Sequence, residues 1–135
     1  LFKFLIIYYN KLTYTKCIYM NNLMKDKRGL VMGVANDKSI GWGIAKAIAD
    51  QGGELAFTYQ GEALKKRVVP LADSVNSDIV LPCDVSNDED IDNTFNELKK
   101  KWPKIDFLVH AIAFSDKDEL KGEYIDTSRK NFLNT

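Results

Sequence analysis

The chain of 135 residues is poor in the residues that build metal sites and disulfide frameworks. It has one histidine and two cysteines, Cys17 and Cys83. That is too few for a metal cluster or a disulfide-stapled scaffold, and it fits a reducing cytoplasm. No apolar run approaches the roughly 20 residues that a membrane helix needs. The three prolines are scattered and no stretch is of low complexity, so the composition is typical of one globular domain.

An excess of positive charge is also missing. The formal net charge is zero, and the first 25 residues carry four lysines and no acid. The rest of the chain therefore holds 15 basic against 19 acidic side chains, a net charge of −4. A surface of this sign repels phosphate backbones, so we expect no nucleic-acid partner, and we expect no membrane partner either.

Both ends of the chain differ from its middle. The first residues form an apolar run without the arginines or the cleavage site of a targeting peptide, and Met20 and Met24 lie just before the first predicted strand. We expect residues 1–24 to be a leader outside the fold, with a membrane-touching anchor as the alternative. Residues 126–128 (Asp-Thr-Ser) predict a helix start, and the sequence stops at Thr135 inside that helix, which we interpret as a fragment.

Strand-like and helix-like patterns alternate along the rest of the chain. Four apolar runs, at 30–34, 54–59, 78–82 and 106–111, are typical of strands covered on both faces. Apolar residues recur at helical spacing between them, over about 41–51, 62–76 and 87–101. The alternation predicts an α/β fold of the Rossmann type, a doubly wound parallel sheet truncated to strands 1–4, with the strand order 3-2-1-4.

The third helix carries two more specific predictions. Ser86 and Glu89 have the spacing of a capping box at its start. Ile91, Phe95 and Leu98 recur on one face, which we expect to pack against the sheet.

The most informative stretch joins the first strand to the first helix, and it contains Gly33, Gly41 and Gly43. Gly33 has no Cβ and lets the chain turn sharply, while the other two let the backbone approach a ligand and the sheet closely. The helix start offers unpaired N–H groups and a partial positive charge, both of which suit a diphosphate. Taken alone, the pattern fits a nucleotide site and a purely structural turn equally well.

The carboxyl ends of the other strands, where ligands of such sheets bind, carry polar residues. Gln60 can hydrogen-bond a ribose but, unlike a carboxylate, does not repel a 2′-phosphate, so NAD is only moderately favoured over NADP. The basic residues 65–67 could attract such a phosphate, although they fit a solvated helix face better. Asp84 could accept a proton from an adenine amino group while the Val85 backbone faces the ring, but a polar loop fits it as well. His110 ends a strand, where a lone histidine is more often packed and hydrogen-bonded than catalytic.

Five short motifs keep a fixed register over residues 29–135. They are residues 33–35 (Gly-Val-Ala) with 39–40 (Ser-Ile), 57–60 (Phe-Thr-Tyr-Gln), 83–85 (Cys-Asp-Val), 102–104 (Trp-Pro-Lys) and 110–114 (His-Ala-Ile-Ala-Phe). In these motifs the chain resembles the N-terminal part of the bacterial NADH-dependent enoyl-acyl-carrier-protein reductases, a divergent branch of the short-chain dehydrogenase/reductase superfamily. Ordinary members of the superfamily would more often show a Thr-Gly-x-x-x-Gly-x-Gly turn, but Met32 stands in place of that threonine.

The resemblance implies NAD as the cofactor and assigns contacts to individual residues. Gly33, Ser39 and Ile40 would contact the diphosphate region. Gln60 would face the adenosine ribose.

The resemblance also assigns roles to four further residues. Asp84 and Val85 would face the adenine, and Ile112 would line the cofactor pocket. Ser115 would sit at an acyl-substrate contact, on an enoyl group carried by acyl carrier protein.

No catalytic residue is assigned within this chain. The family uses a Tyr-x6-Lys pair well beyond the fourth strand, in which the tyrosine stabilises an enolate oxygen and the lysine holds the nicotinamide ribose. Tyr59/Lys66 and Tyr9/Lys16 have that spacing, but the first tyrosine lies on the adenosine side and the second lies in the leader. The resemblance also suggests a homotetramer for the full-length protein. We expect the fragment alone to be inactive and poorly soluble, because its fourth strand would be an exposed apolar edge.

Two alternative functions remain open at this stage. One is another short-chain reductase, such as an NADPH-dependent 3-oxoacyl reductase. The other is a non-catalytic nucleotide-binding fragment. A Tyr-x6-Lys pair encoded beyond Thr135 would favour catalysis.

Overall fold

The computed structural model describes residues 22–135, and these residues form a parallel α/β sheet. The strands are β1 (Arg28–Met32), β2 (Glu54–Tyr59), β3 (Ile79–Pro82) and β4 (Phe107–His110). Their order is β3-β2-β1-β4 and all three pairings are parallel. The predicted doubly wound topology is therefore confirmed.

Three helices make the crossovers between the strands, and a fourth follows β4. They are α1 (Ile40–Asp50), α2 (Gly61–Ser74), α3 (Asp88–Lys101) and the short α4 (Arg129–Asn134). Ser128 caps α4 by accepting a hydrogen bond from the backbone of Asn131, as the helix start predicted at 126–128 implies. Two 3₁₀ turns, Lys117–Leu120 and Tyr124–Asp126, lie between β4 and α4.

The core lies on both faces of the sheet, because successive side chains of a strand point to opposite faces. Val31 and Phe57 are fully buried on the face that α1 and α2 cover. Leu30 is fully buried on the other face, where it belongs to a cluster with Leu98 and Trp102 from the α3 side. Burial on both faces explains why the central strands are continuously apolar rather than alternating.

The start of α3 differs from the sequence prediction. The N-cap is Asn87, whose side chain accepts from the Glu89 backbone N–H, whereas the Ser86 hydroxyl donates to Asp84. The buried face of the helix contains Thr94, whose hydroxyl donates to the Pro82 carbonyl at 3.0 Å. The expected capping box was therefore wrong, and so was the expected burial of Phe95, which is exposed.

The described chain begins with a turn over residues 22–26 that contacts the end of α1. The Met24 N–H donates to the Gln51 carbonyl at 3.0 Å, and the Glu54 N–H donates to Lys27 at 2.8 Å. The boundary expected after residue 24 thus falls inside a turn that packs on the domain. Residues 1–21, which contain most of the predicted leader and the Tyr9/Lys16 pair, lie outside the described residues. Among the helices of residues 22–135, none has the length and apolarity needed to cross a bilayer.

Candidate functional site

A groove of about 190 Å³ opens over the carboxyl ends of the strands. Gly33, Gln60, Val85 and Ile112, four of the predicted cofactor contacts, line it. Its remaining walls come from the same strand ends and from the first turn of α2: Val34, Ala35, Thr58, Tyr59, Leu64, Cys83, Ala111 and Ala113. The groove therefore lies at the point where the strand order reverses between β1 and β4, the usual ligand position in such sheets.

The turn after β1 requires glycine at residue 33 for two independent reasons. Its φ is +93°, a conformation that L side chains rarely adopt. A Cβ built there would lie 2.1 Å from the Ala111 carbonyl oxygen, so β1 and the loop after β4 touch through their backbones. A Cβ built at Gly41 would lie 3.3 Å from the Gly33 carbonyl oxygen, so the start of α1 also lies close to this turn. Gly43 faces open space, so the expected close approach of Gly43 to the sheet is absent.

The N-terminus of α1 lies beside this turn and carries unpaired backbone donors. Ser39 is its N-cap, and the Ser39 hydroxyl donates to the Asn36 carbonyl at 2.7 Å and accepts from Trp42 at 3.4 Å. The N–H groups of Ile40 and Gly41 donate to no acceptor among residues 22–135. The Ile40 side chain is 79% exposed, which leaves the helix start uncovered. Free N–H groups and the positive end of the helix dipole together form an anion-binding position.

Gln60 and Asp84 meet at the other end of the groove. The Gln60 Nε2 donates to Asp84 Oδ2 at 2.7 Å, which joins the loops after β2 and β3. Ser86 donates to Asp84 Oδ1 from its hydroxyl at 2.7 Å and from its backbone at 3.0 Å. The hydrogen bonds from Ser86, followed by the one from Gln60, hold the pKa of Asp84 below its ordinary value, so this carboxylate is ionised at neutral pH.

The three consecutive basic residues of α2 follow the loop that carries Gln60. Lys65 is paired with Glu62 at 3.2 Å and lies 5.7 Å from the centre of the Tyr59 ring. The hydrogen bond to the Glu62 carboxylate raises the pKa of Lys65. Lys66 and Arg67 are exposed, as expected for a solvated helix face.

Ser115 lies outside the groove. It lines a second cavity of about 520 Å³, built from the loop after β4 and from α4. The Asn131 side chain holds this loop, since its Nδ2 donates to Ser115 Oγ and its Oδ1 accepts from the Asp116 backbone, both at 3.0 Å. Asn131 is 94% buried, and no local sequence signal marks it, because its partners lie 15 and 16 residues away.

His110 differs from its expected environment. It is exposed, and its ring makes no hydrogen bond within residues 22–135, so the expectation of a packed, hydrogen-bonded histidine was wrong. The reason is that β4 pairs only with β1 in the described sheet, which leaves its other edge open. Leu108 in the same strand is 48% exposed, as expected for an apolar edge. The described residues contain no group of three or more side chains suited to hold a metal.

Comparison with known proteins gives a consistent result. A sequence profile described as "Enoyl-(Acyl carrier protein) reductase" matches residues 33–135. Enoyl-[acyl-carrier-protein] reductase [NADH] 2 of Rhizobium meliloti (strain 1021) is 64% identical over 116 residues, which cover 86% of this chain and 43% of the relative.

Solved structures agree with the sequence relatives. The enoyl-(acyl-carrier-protein) reductase of Anaplasma phagocytophilum, solved in complex with NAD, is 57% identical with a TM-score of 0.79, over 84% of this chain and 43% of the other. The Bacillus cereus enoyl-acyl carrier protein reductase, solved with NADP+ and indole naphthyridinone, is 46% identical with a TM-score of 0.77, over 83% and 44%. The chain thus spans less than half the length of these relatives, and it belongs to the enoyl-(acyl carrier protein) reductase family.

Proposed function

We propose that the full-length protein is an NADH-dependent enoyl-[acyl-carrier-protein] reductase of type II fatty-acid synthesis. In this proposal residues 25–135 form the N-terminal part of its NAD-binding domain, the turn at residues 22–24 packs on that domain, and the leader outside the domain ends before residue 22. The observation that carries the proposal is the groove at the strand ends, bounded by the Gly33 turn and the open N-terminus of α1. Family membership supplies the reaction, and the relatives named for NADH supply the cofactor.

The free N–H groups of Ile40 and Gly41 would hold the diphosphate of NAD, with Gly33 allowing the backbone to pass close to it. Ser39 would contribute chiefly by capping α1, because its hydroxyl proton is directed to the Asn36 carbonyl. The groove between that helix start and Gln60 would take the adenosine half of the cofactor.

The remaining contacts follow from the same placement. Asp84 and Val85 would lie beside the adenine, and Ile112 would line the cofactor pocket near the strand-order reversal. Bound NADH would supply a hydride to the enoyl thioester.

The acyl substrate would approach from the side of the second cavity. Ser115 lies there with its hydroxyl fixed by Asn131, on the loop that continues from the groove. Tyr59 lies at the adenosine end of the groove and is therefore not the catalytic tyrosine of this proposal. That residue and its lysine would come from the part of the protein beyond this chain. We further propose a homotetramer in the cytoplasm for the complete enzyme.

The test is a spectrophotometric assay of the full-length protein, which follows NADH oxidation with a trans-2-enoyl thioester and, separately, with a 3-oxoacyl thioester. Turnover of the enoyl substrate alone supports the proposal. Turnover of the 3-oxoacyl substrate, or binding of NADH without turnover of either, refutes it.

A matched pair of variants tests the groove itself. Ala113 is exposed and lines the groove, so A113W fills it without disturbing the core. Ala47 is exposed on α1 outside the groove, which makes A47W the control. We expect calorimetry to show loss of NADH binding in A113W alone. Equal affinity in the two variants would place the cofactor elsewhere.

A further inference from the structure

The hydrogen bond between Gln60 and Asp84 fixes the direction of the glutamine amide. An ionised carboxylate only accepts hydrogen bonds, so the amide must turn its NH₂ group toward Asp84 Oδ2. The Gln60 Oε1 therefore points away from Asp84, and it accepts no hydrogen bond from residues 22–135. A free carbonyl oxygen accepts a hydrogen bond from a ribose hydroxyl, but it offers nothing to a phosphate.

The same bond brings negative charge to the adenosine end of the groove. Asp84 remains ionised, and the Asp90 carboxylate lies beside it, where its Oδ2 accepts from the Asp84 backbone N–H at 3.0 Å. In α2, Lys65 lies near the Tyr59 ring but is bound to Glu62, and Lys66 and Arg67 lie on the exposed face of the helix. Gln60 alone would not repel a 2′-phosphate, because its side chain is uncharged. Gln60 bonded to Asp84 presents a hydrogen-bond acceptor with a negative charge beside it, and this charge repels a phosphate.

The carboxylate keeps enough hydrogen-bonding capacity to serve a ligand at the same time. Its two oxygens offer about four acceptor positions. The Ser86 hydroxyl, the Ser86 backbone and Gln60 occupy three of them. One position remains for an amino group such as that of adenine, so orienting Gln60 and binding the base are compatible.

We propose that Asp84 is a specificity-determining residue, which selects NADH over NADPH by orienting Gln60 and by placing a negative charge beside the ribose 2′ position. The inference rests on the proposed function, because it takes the adenosine ribose to lie at Gln60. Family membership alone does not decide this choice, since the Bacillus cereus relative was solved with NADP+. The selection belongs to the pair of side chains, not to Gln60 alone.

The test compares D84N with the unaltered full-length protein. Asparagine keeps an oxygen that accepts from Gln60 but removes the charge. The measured quantity is kcat/KM for NADPH divided by kcat/KM for NADH, in which any general loss of adenine binding cancels. We expect this ratio to rise on the order of tenfold in D84N, as the repulsion of a partly screened phosphate is relieved.

The control is D73N, which makes the same charge change at the far end of α2, away from the groove. It should leave the ratio unchanged. In the unaltered protein, the ratio of kcat/KM for NADPH to that for NADH should rise with salt, because salt screens exposed charges. In D84N, which lacks the charge, the same ratio should rise less with salt.

The outcomes separate this inference from the proposed function. A ratio that is the same in D84N and the unaltered protein, at both low and high salt, overturns the inference while NADH turnover of the enoyl thioester still supports the function. If no turnover occurs, the same ratio is taken from calorimetric dissociation constants of NADH and NADPH. Failure to bind either cofactor overturns both proposals.

Discussion

Substituting Gly33 by alanine tests the contact on which the groove depends. The Cβ of G33A would lie 2.1 Å from the Ala111 carbonyl oxygen and 2.4 Å from its carbon, both of them backbone atoms that cannot rotate away. Holding alanine at a φ of +93° costs roughly 1–3 kcal/mol. Displacing the loop after β4 adds the cost of overpacking, typically about 1–3 kcal/mol. We therefore expect G33A to lower the free energy of unfolding by roughly 2–6 kcal/mol.

The measurement is urea-induced unfolding of the full-length protein, together with its affinity for NADH. G43A is the matched control, because its Cβ meets nothing within 4 Å and a helical alanine is favoured over glycine by roughly 0.5–1 kcal/mol. G33A should also bind NADH more weakly, since the displaced loop contains Ala111, which lines the groove. A G33A protein as stable as G43A would show that β1 and the loop after β4 do not touch as described.

Three further substitutions test the surroundings of the site. A hydrogen bond from the backbone N–H of Arg28 is the main reason that the pKa of Asp106 is lowered. The ionised Asp106 carboxylate therefore stabilises the fold at neutral pH, and this contribution is lost as the pH falls through the folded-state pKa. D106N should accordingly lose less stability than the unaltered protein between about pH 5 and pH 3 in denaturation curves. T94V keeps the shape of Thr94 but loses the bond to the Pro82 carbonyl, and it should destabilise the protein by about 1 kcal/mol in the same assay. N131A should speed amide hydrogen exchange in the loop after β4, while exchange in β1 stays unchanged; equal rates in that loop would contradict the anchoring role of Asn131.

Much of the fold could be predicted because its determinants are local. The run at 30–34 is apolar because β1 is buried on both faces, and this property is visible without knowing its neighbours. The strand order then follows the common arrangement of doubly wound sheets with right-handed crossovers. The role of Gly33 could be predicted for the same reason, because a glycine between a strand pattern and a helix pattern indicates a sharp turn.

The errors concern properties that depend on distant partners. Phe95 has the spacing of a buried residue, but Thr94 takes the inward position because its hydroxyl reaches the Pro82 carbonyl. The exposure of His110 depends on the edge position of β4 in the described sheet, which the strand's own sequence does not show. The role of Ser115 stays a prediction, and no local pattern in the sequence shows that Asn131, 16 residues away, holds its hydroxyl.

The groups at the two ends of the groove carry charge of opposite sign, and this difference restricts how a ligand can lie. At one end, the free N–H groups of Ile40 and Gly41 form the positive end of the α1 dipole. At the other end the ionised Asp84 lies behind Gln60. A dinucleotide whose charge is confined to its diphosphate meets attraction at the helix and no repulsion at the ribose. Adding a phosphate to that ribose places a second anion at the negative end, and turning the molecule around would take the diphosphate away from the helix. The same polarity therefore accounts for both the orientation and the choice of cofactor that we propose.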